Sequence, residues 1–289
     1  MIVGCGDIAL RALPVLTCRY RVFALVRRAE TAARARALGA IPVFGDLDER
    51  KSLVRLAGIA DWVLIFAPPP AGVMGERNVI HDPRMGHLLA MLALRGSLPQ
   101  RLIYISTTGV YGDCAGAEID ETRPCRATTA RARRRVDAET RLRAFGVRNR
   151  VRVGVLRAPG IYAADRLPVE RLRRGDPVAE AAEDVWSSHI HADDLARLAR
   201  VALLRARPNR VYNAVDDSRL KTGAYFDLVA DALGLAHPPR LPRAALAERL
   251  SAAALSFLHE SRRISNTRLK HELRFILRYP TVAHGLAAL

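Results

Sequence analysis

Met1-Ile-Val-Gly-Cys-Gly-Asp-Ile-Ala9 opens the chain. Three apolar residues run into Gly4-Cys5-Gly6, and apolar side chains then recur at helical spacing: Ile8, Ala9, Leu10, Ala12, Leu13, Val15 and Leu16. The pattern reads as strand, tight turn, helix. In G-x-G-x-x-A the first glycine permits the turn, the second lets backbone approach a diphosphate, and the small Ala9 lets helix and strand pack closely. The helix N-terminus offers that anion unpaired amides and the positive end of its dipole. Gly4, Gly6, Asp7, Ile8 and Ala9 are therefore expected to hold a dinucleotide. Because the central strand of such a sheet usually has about 5–6 residues, the natural start is expected a few residues before Met1.

The alternation continues to about residue 160. Apolar runs at Met1–Val3, Val22–Val26, Ile41–Phe44, Trp62–Phe66, Leu102–Ile105 and Val151–Leu156 predict strands, and Ala32–Leu38, Met85–Leu94 and Arg131–Phe145 predict helices between them. Strand and helix in strict alternation predict an α/β fold with a doubly wound parallel sheet. Beyond Tyr162 the sequence turns helix-rich. Asp193 reads as an N-cap or first-turn acid of a helix running to about Leu204, and Val211–Ala214 as one more strand. Thr222–Leu233, Ala244–Leu258 and Asn266–Leu273 read as helices. We expect a dinucleotide-binding domain over residues 1–162, to which 187–214 return, and a smaller, mainly helical substrate lobe from 163–186 and 215–289.

The second strand ends in Leu25-Val26-Arg27-Arg28. An acidic residue there would bind the ribose hydroxyl of NAD(H), whereas arginines pair with the 2′-phosphate of NADP(H). Arg27 and Arg28 thus favour NADP(H) over NAD(H), against the alternative that both point into water. Further along, Arg101-Leu-Ile-Tyr-Ile-Ser-Thr-Thr-Gly-Val-Tyr-Gly-Asp113 sets Ser106, Thr107 and Thr108 at the carboxyl end of a strand. Ligands of open parallel sheets bind at that end.

Strand, hydroxyls and Gly-Val-Tyr-Gly together resemble the fifth strand of the extended short-chain dehydrogenase/reductases, the family of NAD(P)-dependent epimerases and dehydratases, which share a Rossmann-type fold. Leu156-Arg-Ala-Pro-Gly-Ile-Tyr162, Ser187-Ser-His-Ile-His-Ala-Asp-Asp-Leu195 and Arg263-Ile-Ser-Asn-Thr-Arg-Leu-Lys270 resemble later motifs of that family in the same order. The resemblance implies a catalytic hydroxyl at Thr107. It places Asp46 and Leu47 near the adenine, and Ala67, Pro68, Ser106 and Pro159 along the cofactor. Thr108, Tyr162 and His189 would then face the substrate. Ala67-Pro68-Pro69-Pro70 departs from the family's small-residue turn, and proline would stiffen it.

The family's Tyr-x-x-x-Lys pair occurs nowhere in this chain. Anchoring Thr128-Thr-Ala-Arg-Ala-Arg-Arg-Arg-Val-Asp-Ala-Glu139 on Glu139 puts Arg131 at the tyrosine position and Arg135 at the lysine position. Arginine does not exchange a proton near neutrality. Arg131 is suited to an oxyanion, phosphate or carboxylate instead. Tyr111, Tyr162, His189 and His191 are the remaining candidates for acid/base work, each with a plain packing role as the alternative.

Composition narrows the partners. The 289 residues, half of them apolar, suffice for a large core. A net charge of +17 would ordinarily suggest a polyanion, yet apart from Lys51, Lys221 and Lys270 it is all arginine, spread over many helices with few aromatics between. Nucleic acid is therefore not the expected partner, and a small molecule is. Cys5, Cys18, Cys114 and Cys125 lack metal-ligand spacing, so no metal is expected, and free thiols fit the cytoplasm. No apolar run is long enough for a bilayer, and oligomeric state is not legible. Two functions fit: an NADP(H)-dependent oxidoreductase or epimerase/dehydratase-like enzyme acting on a polar substrate, phosphorylated or nucleotide-linked, and a non-catalytic NADP(H)-binding redox sensor.

Overall fold

A computed structural model describes residues 1–70, 80–250, 255 and 260–289. Strands β1 (Ile2–Val3), β2 (Phe23–Val26), β3 (Ile41–Phe44), β4 (Trp62–Ile65), β5 (Arg101–Thr107), β6 (Arg152–Ala158) and, later in the chain, β9 (Arg210–Asn213) form one parallel sheet. Their order is β9-β6-β5-β4-β1-β2-β3. The order reverses between β1 and β4, which opens a crevice at their carboxyl ends. Helices α1 (Asp7–Thr17), α2 (Ala29–Ala37) and α5 (Ala192–Arg205) cover one face through Leu13, Ala35 and Leu198. On the other face lie α3 (Pro83–Leu92) and α4 (Ala130–Asn149), through Leu88, Leu92, Leu142 and Phe145.

β5 and β6 run further than their apolar cores suggest. They stay in register to Ser106 opposite Arg157 and Thr107 opposite Ala158. A charged residue normally ends a buried strand, but the Arg157 guanidinium meets the Glu139 carboxylate of α4 at 2.7 Å, with both side chains 5% exposed. The strand continues because its charge is matched from another element.

After β6, short strand β7 (Gly160–Tyr162) pairs in parallel with β8 (His189–His191). A separate apolar cluster gathers Tyr162, Leu172, Phe226, Val229, Val282 and Leu286, built largely on α6 (Thr222–Leu233). The C-terminal region is mainly helical, with two-residue strand pairs that no sequence periodicity announces, such as Trp186–Ser187 with Leu220–Lys221. Asp193 is a first-turn acid of α5, whose N-cap is His191. Of the helix expected over Ala244–Leu258, Arg243–Arg249 and Leu255 are helical, Leu250 is not, and residues 251–254 and 256–258 lie outside the described residues. Among the described residues no helix is long and apolar enough to cross a membrane.

Candidate functional site

A cleft of about 650 Å³ opens at the carboxyl ends of β1, β2, β4, β5 and β6. Its floor is the glycine turn. Gly4 has φ +87°, and a Cβ there would sit 2.6 Å from the Ala67 backbone nitrogen, so only glycine fits. Gly6 is the N-cap of α1 and makes no side-chain cap, and a Cβ on it would meet nothing within 4 Å. An open cradle thus lies before the first amides of a helix, the arrangement a diphosphate requires. Asp7 sits at this rim, but Arg11 (3.0 Å) and Arg166 (2.9 Å) hold its carboxylate. These residues fit a dinucleotide; Ile8 and Ala9 complete the turn's contribution to the lining.

Arg27 and Arg28 follow β2 on the cleft wall. Arg27 pairs with Asp46 at 3.3 Å, while Arg28 has no carboxylate in ion-pair range among the described residues. Asp46 is not the N-cap of the helical turn that follows, which begins after Glu49. It closes its own loop by accepting from the Asp48 amide at 3.0 Å. Arg84 of α3 grips Asp48 with two bonds of 2.7 and 2.6 Å and the Pro68 carbonyl at 3.1 Å, tying together the loops after β3 and β4. Arg84 and Arg166 both line the cleft; no local pattern announces either, because their partners lie on other elements.

At the inner end are Ser106, Thr107, Arg131 and Arg135, with Pro159 beside them on the segment after β6. Ser106 Oγ donates to Glu139 at 2.5 Å and is thereby fixed. Thr107 Oγ1 accepts from the Gly109 amide at 3.2 Å, and its hydroxyl hydrogen has no acceptor among the described residues. Arg135 is 7% exposed. It donates to the Ile105 carbonyl and lies 5.6 Å over the Tyr104 ring. Arg131 is exposed as a residue, yet partial desolvation of its guanidinium, and then the charge of Arg135, push it below its ordinary pKa.

Four expected site residues lie off the cleft lining. Tyr111 is fully buried and donates to Asn213 Oδ1 at 2.7 Å, and burial pushes its phenol up to about 12. It packs the Gly-Val-Tyr-Gly turn beneath the Arg157 guanidinium, 4.7 Å away. Thr108 is buried at the head of that same turn. Tyr162 donates to the Thr281 carbonyl at 3.1 Å, and burial raises its pKa. His189 stacks on Tyr225 at 4.2 Å, and burial pushes it down to about 4, leaving it neutral. His191, the other histidine candidate, caps α5 by accepting from the Asp193 amide at 3.2 Å. Among the described residues that line the cleft there is no tyrosine, histidine, lysine or glutamate, and no group of side chains is placed to hold a metal ion.

A model of the NAD-dependent epimerase/dehydratase family matches residues 6–214. A ketoreductase of 4-hydroxy-2-methyl-3-oxo-4-farnesyl-3,4-dihydroquinoline-1-oxide from Stigmatella aurantiaca is 31% identical over 124 residues, which are 42% of this chain and 37% of that protein. Among solved structures, a conserved protein of unknown function from Silicibacter pomeroyi superposes with a TM-score of 0.81 at 30% identity, covering 100% of this chain and 96% of that one. The UDP-glucose 4-epimerase of Thermotoga maritima, solved with UDP-glucose, superposes with a TM-score of 0.77 at 18% identity, covering 99% and 95%.

Proposed function

The chain belongs to the NAD-dependent epimerase/dehydratase family, and from that premise we propose that it is an NADP(H)-dependent oxidoreductase acting on the carbonyl or hydroxyl of a polar small molecule, phosphorylated or nucleotide-linked. One observation carries the reading: a single cleft is lined by the glycine cradle on its floor, by Arg28 after β2 and by Thr107 at the end of β5. A nicotinamide cofactor supplies or accepts hydride. The chain's own residues do the rest. The Gly4 to Ala9 turn holds the diphosphate, Arg28 meets the 2′-phosphate, and Thr107 donates to the substrate oxygen. Arg131 adds positive charge to that side of the cleft without moving a proton. The likeness to a ketoreductase supports carbonyl chemistry, and the likeness to a UDP-glucose epimerase supports room for a nucleotide-linked substrate.

A second reading, an NADP(H)-binding sensor without turnover, is favoured by the lack of a proton-exchanging tyrosine, histidine or lysine among the described lining residues. Two measurements separate the readings. Titration with NADPH and NADH, followed by nicotinamide fluorescence, should show tight NADPH and weak NADH; equal affinity would remove the case for NADP(H). In a carbonyl-substrate screen with NADPH, Thr107→Ala should abolish turnover and leave NADPH affinity intact. Failure of the wild type to turn over any carbonyl substrate while binding NADPH favours the sensor.

A further inference from the structure

We propose that Arg131 and Arg135 form an anion subsite at the inner end of the cleft, so that the substrate is an acid carrying a carboxylate or phosphate close to its reacting carbon. The inference rests on reading the cleft as a joint cofactor and substrate site. The two arginines are four residues apart on α4 and therefore share one face of it, where like charges repel. Arg131 also lies in the first turn of α4, which contains no acidic residue. That end of a helix favours anions and disfavours cations. Two unfavourable placements thus coincide, and a bound anion relieves both.

No described carboxylate lies within ion-pair range of either arginine, and the acids nearest them, Asp82 among them, are engaged elsewhere. Glu139, on the same helix, is spent on Arg157 and Ser106. Asp137 holds Arg141 at 2.7 Å and the Asp82 amide at 2.8 Å. Asp82 is buried and caps α3 by accepting from the amides of Arg84 and Met85 at 3.0 and 3.3 Å. Arg135 is left with neutral acceptors, the Ile105 carbonyl and the Tyr104 hydroxyl, and its buried Nε has no partner. Its guanidinium is nonetheless held in place by that carbonyl and by the Tyr104 ring. Held by one amino group beside a second cation, the Arg135 guanidinium keeps its other amino group for a carboxylate or phosphate, the buried Nε being closed to any ligand. Both line the same cleft as Thr107, which places the anion near the hydroxyl that meets the substrate oxygen.

The test is calorimetric titration of inorganic phosphate and, separately, acetate into the full chain saturated with NADP+, so that the cofactor's own phosphate sites are filled. One anion should bind per chain, and Arg131→Gln should weaken it at least about 10-fold, the scale of a charge-assisted bond, with NADPH affinity unchanged. Phosphate bound in preference assigns a phosphorylated substrate, and acetate a carboxylic acid. Arg135→Gln is the less clean variant because Arg135 also packs on Tyr104. No binding of either anion to the loaded wild type, or equal binding to Arg131→Gln, overturns the subsite. Should NADPH itself fail to bind, the cofactor reading fails alone, and the same anions are titrated into the free chain. There, loss in Arg131→Gln with retention in Arg28→Gln upholds the subsite, and any other pattern overturns it.

Discussion

At the scale of single residues, the two arginines that follow β2 are unequal. Arg27 already answers Asp46, whereas Arg28 faces the cleft without a carboxylate among the described residues. Hydrogen bonds to charged groups contribute about 1.5–3 kcal/mol, or roughly 10- to 150-fold in affinity. Arg28→Ser is therefore expected to weaken NADPH by that range and leave NADH unchanged, with Arg27→Ser doing less. Fluorescence titration of both cofactors against both variants checks this; an equal loss of NADPH and NADH in Arg28→Ser would count against a 2′-phosphate contact. The glycine turn and these arginines are legible in the sequence because backbone geometry and local order put them together. The packing role of Tyr111 is legible in its motif but its partner is not, since a motif records neighbours along the chain while the Asn213 amide that takes up its hydroxyl lies 102 residues away. Arg84 and Arg166 escape for the same reason, their positions being set by Asp48 and Asp7.

Among the elements, β5, β6 and α4 are joined by one buried charge pair. Glu139 takes two bonds from Arg157, at 3.2 and 2.7 Å, and one from Ser106. Removing one partner of a buried pair leaves the other charged and unmatched, at about 3–5 kcal/mol. Glu139→Gln should lower the unfolding free energy measured in urea by that much, and Glu139→Gln with Arg157→Met should recover most of it, because the uncompensated charge is then gone. An unchanged midpoint in the single variant would mean that water reaches the site and the pair stabilises nothing. The same pair explains which strand ends the sequence shows. The cores of β5 and β6 announce themselves by β-branched residues. Their last residues do not, because Arg157 reads as a stop until its counter-charge on α4 is known. The helices α1, α4 and α6 were legible to within a few residues, their apolar spacing being long enough to set a period.

Over the whole molecule, the chain's last described segment is stitched to α5 and β7 by buried polar groups. Asp194, fully buried on α5, accepts from the amides of Arg278 and Tyr279 at 3.0 and 2.8 Å, and Tyr162 reaches the Thr281 carbonyl. Within this seam the Asp216 amide donates to the His189 carbonyl at 2.8 Å, and one Asp216 oxygen accepts from the Ser218 amide at 2.9 Å. Its other oxygen has no partner among the described residues. Burial pushes Asp216 up to about 7 and His189 down to about 4. The two act on stability in opposite directions. The native state holds the Asp216 proton to higher pH than the unfolded chain, whose aspartate titrates near 3.9, so stability falls as pH rises from about 4 to about 7 and then levels. His189 binds its proton less readily when folded, so stability falls as pH drops from about 6.5 towards 4. Asp216→Asn removes the first effect and keeps the second, because burial alone shifts His189. The stability of the variant relative to wild type should therefore climb between pH 4 and pH 8, by up to about 4 kcal/mol for a shift of this size. Any loss from the unmatched amide of asparagine is the same at every pH, so the slope, not the offset, carries the test. A gap that stays flat across that range in urea melts would show that Asp216 is ionised in the native protein and that water or a cation reaches the seam.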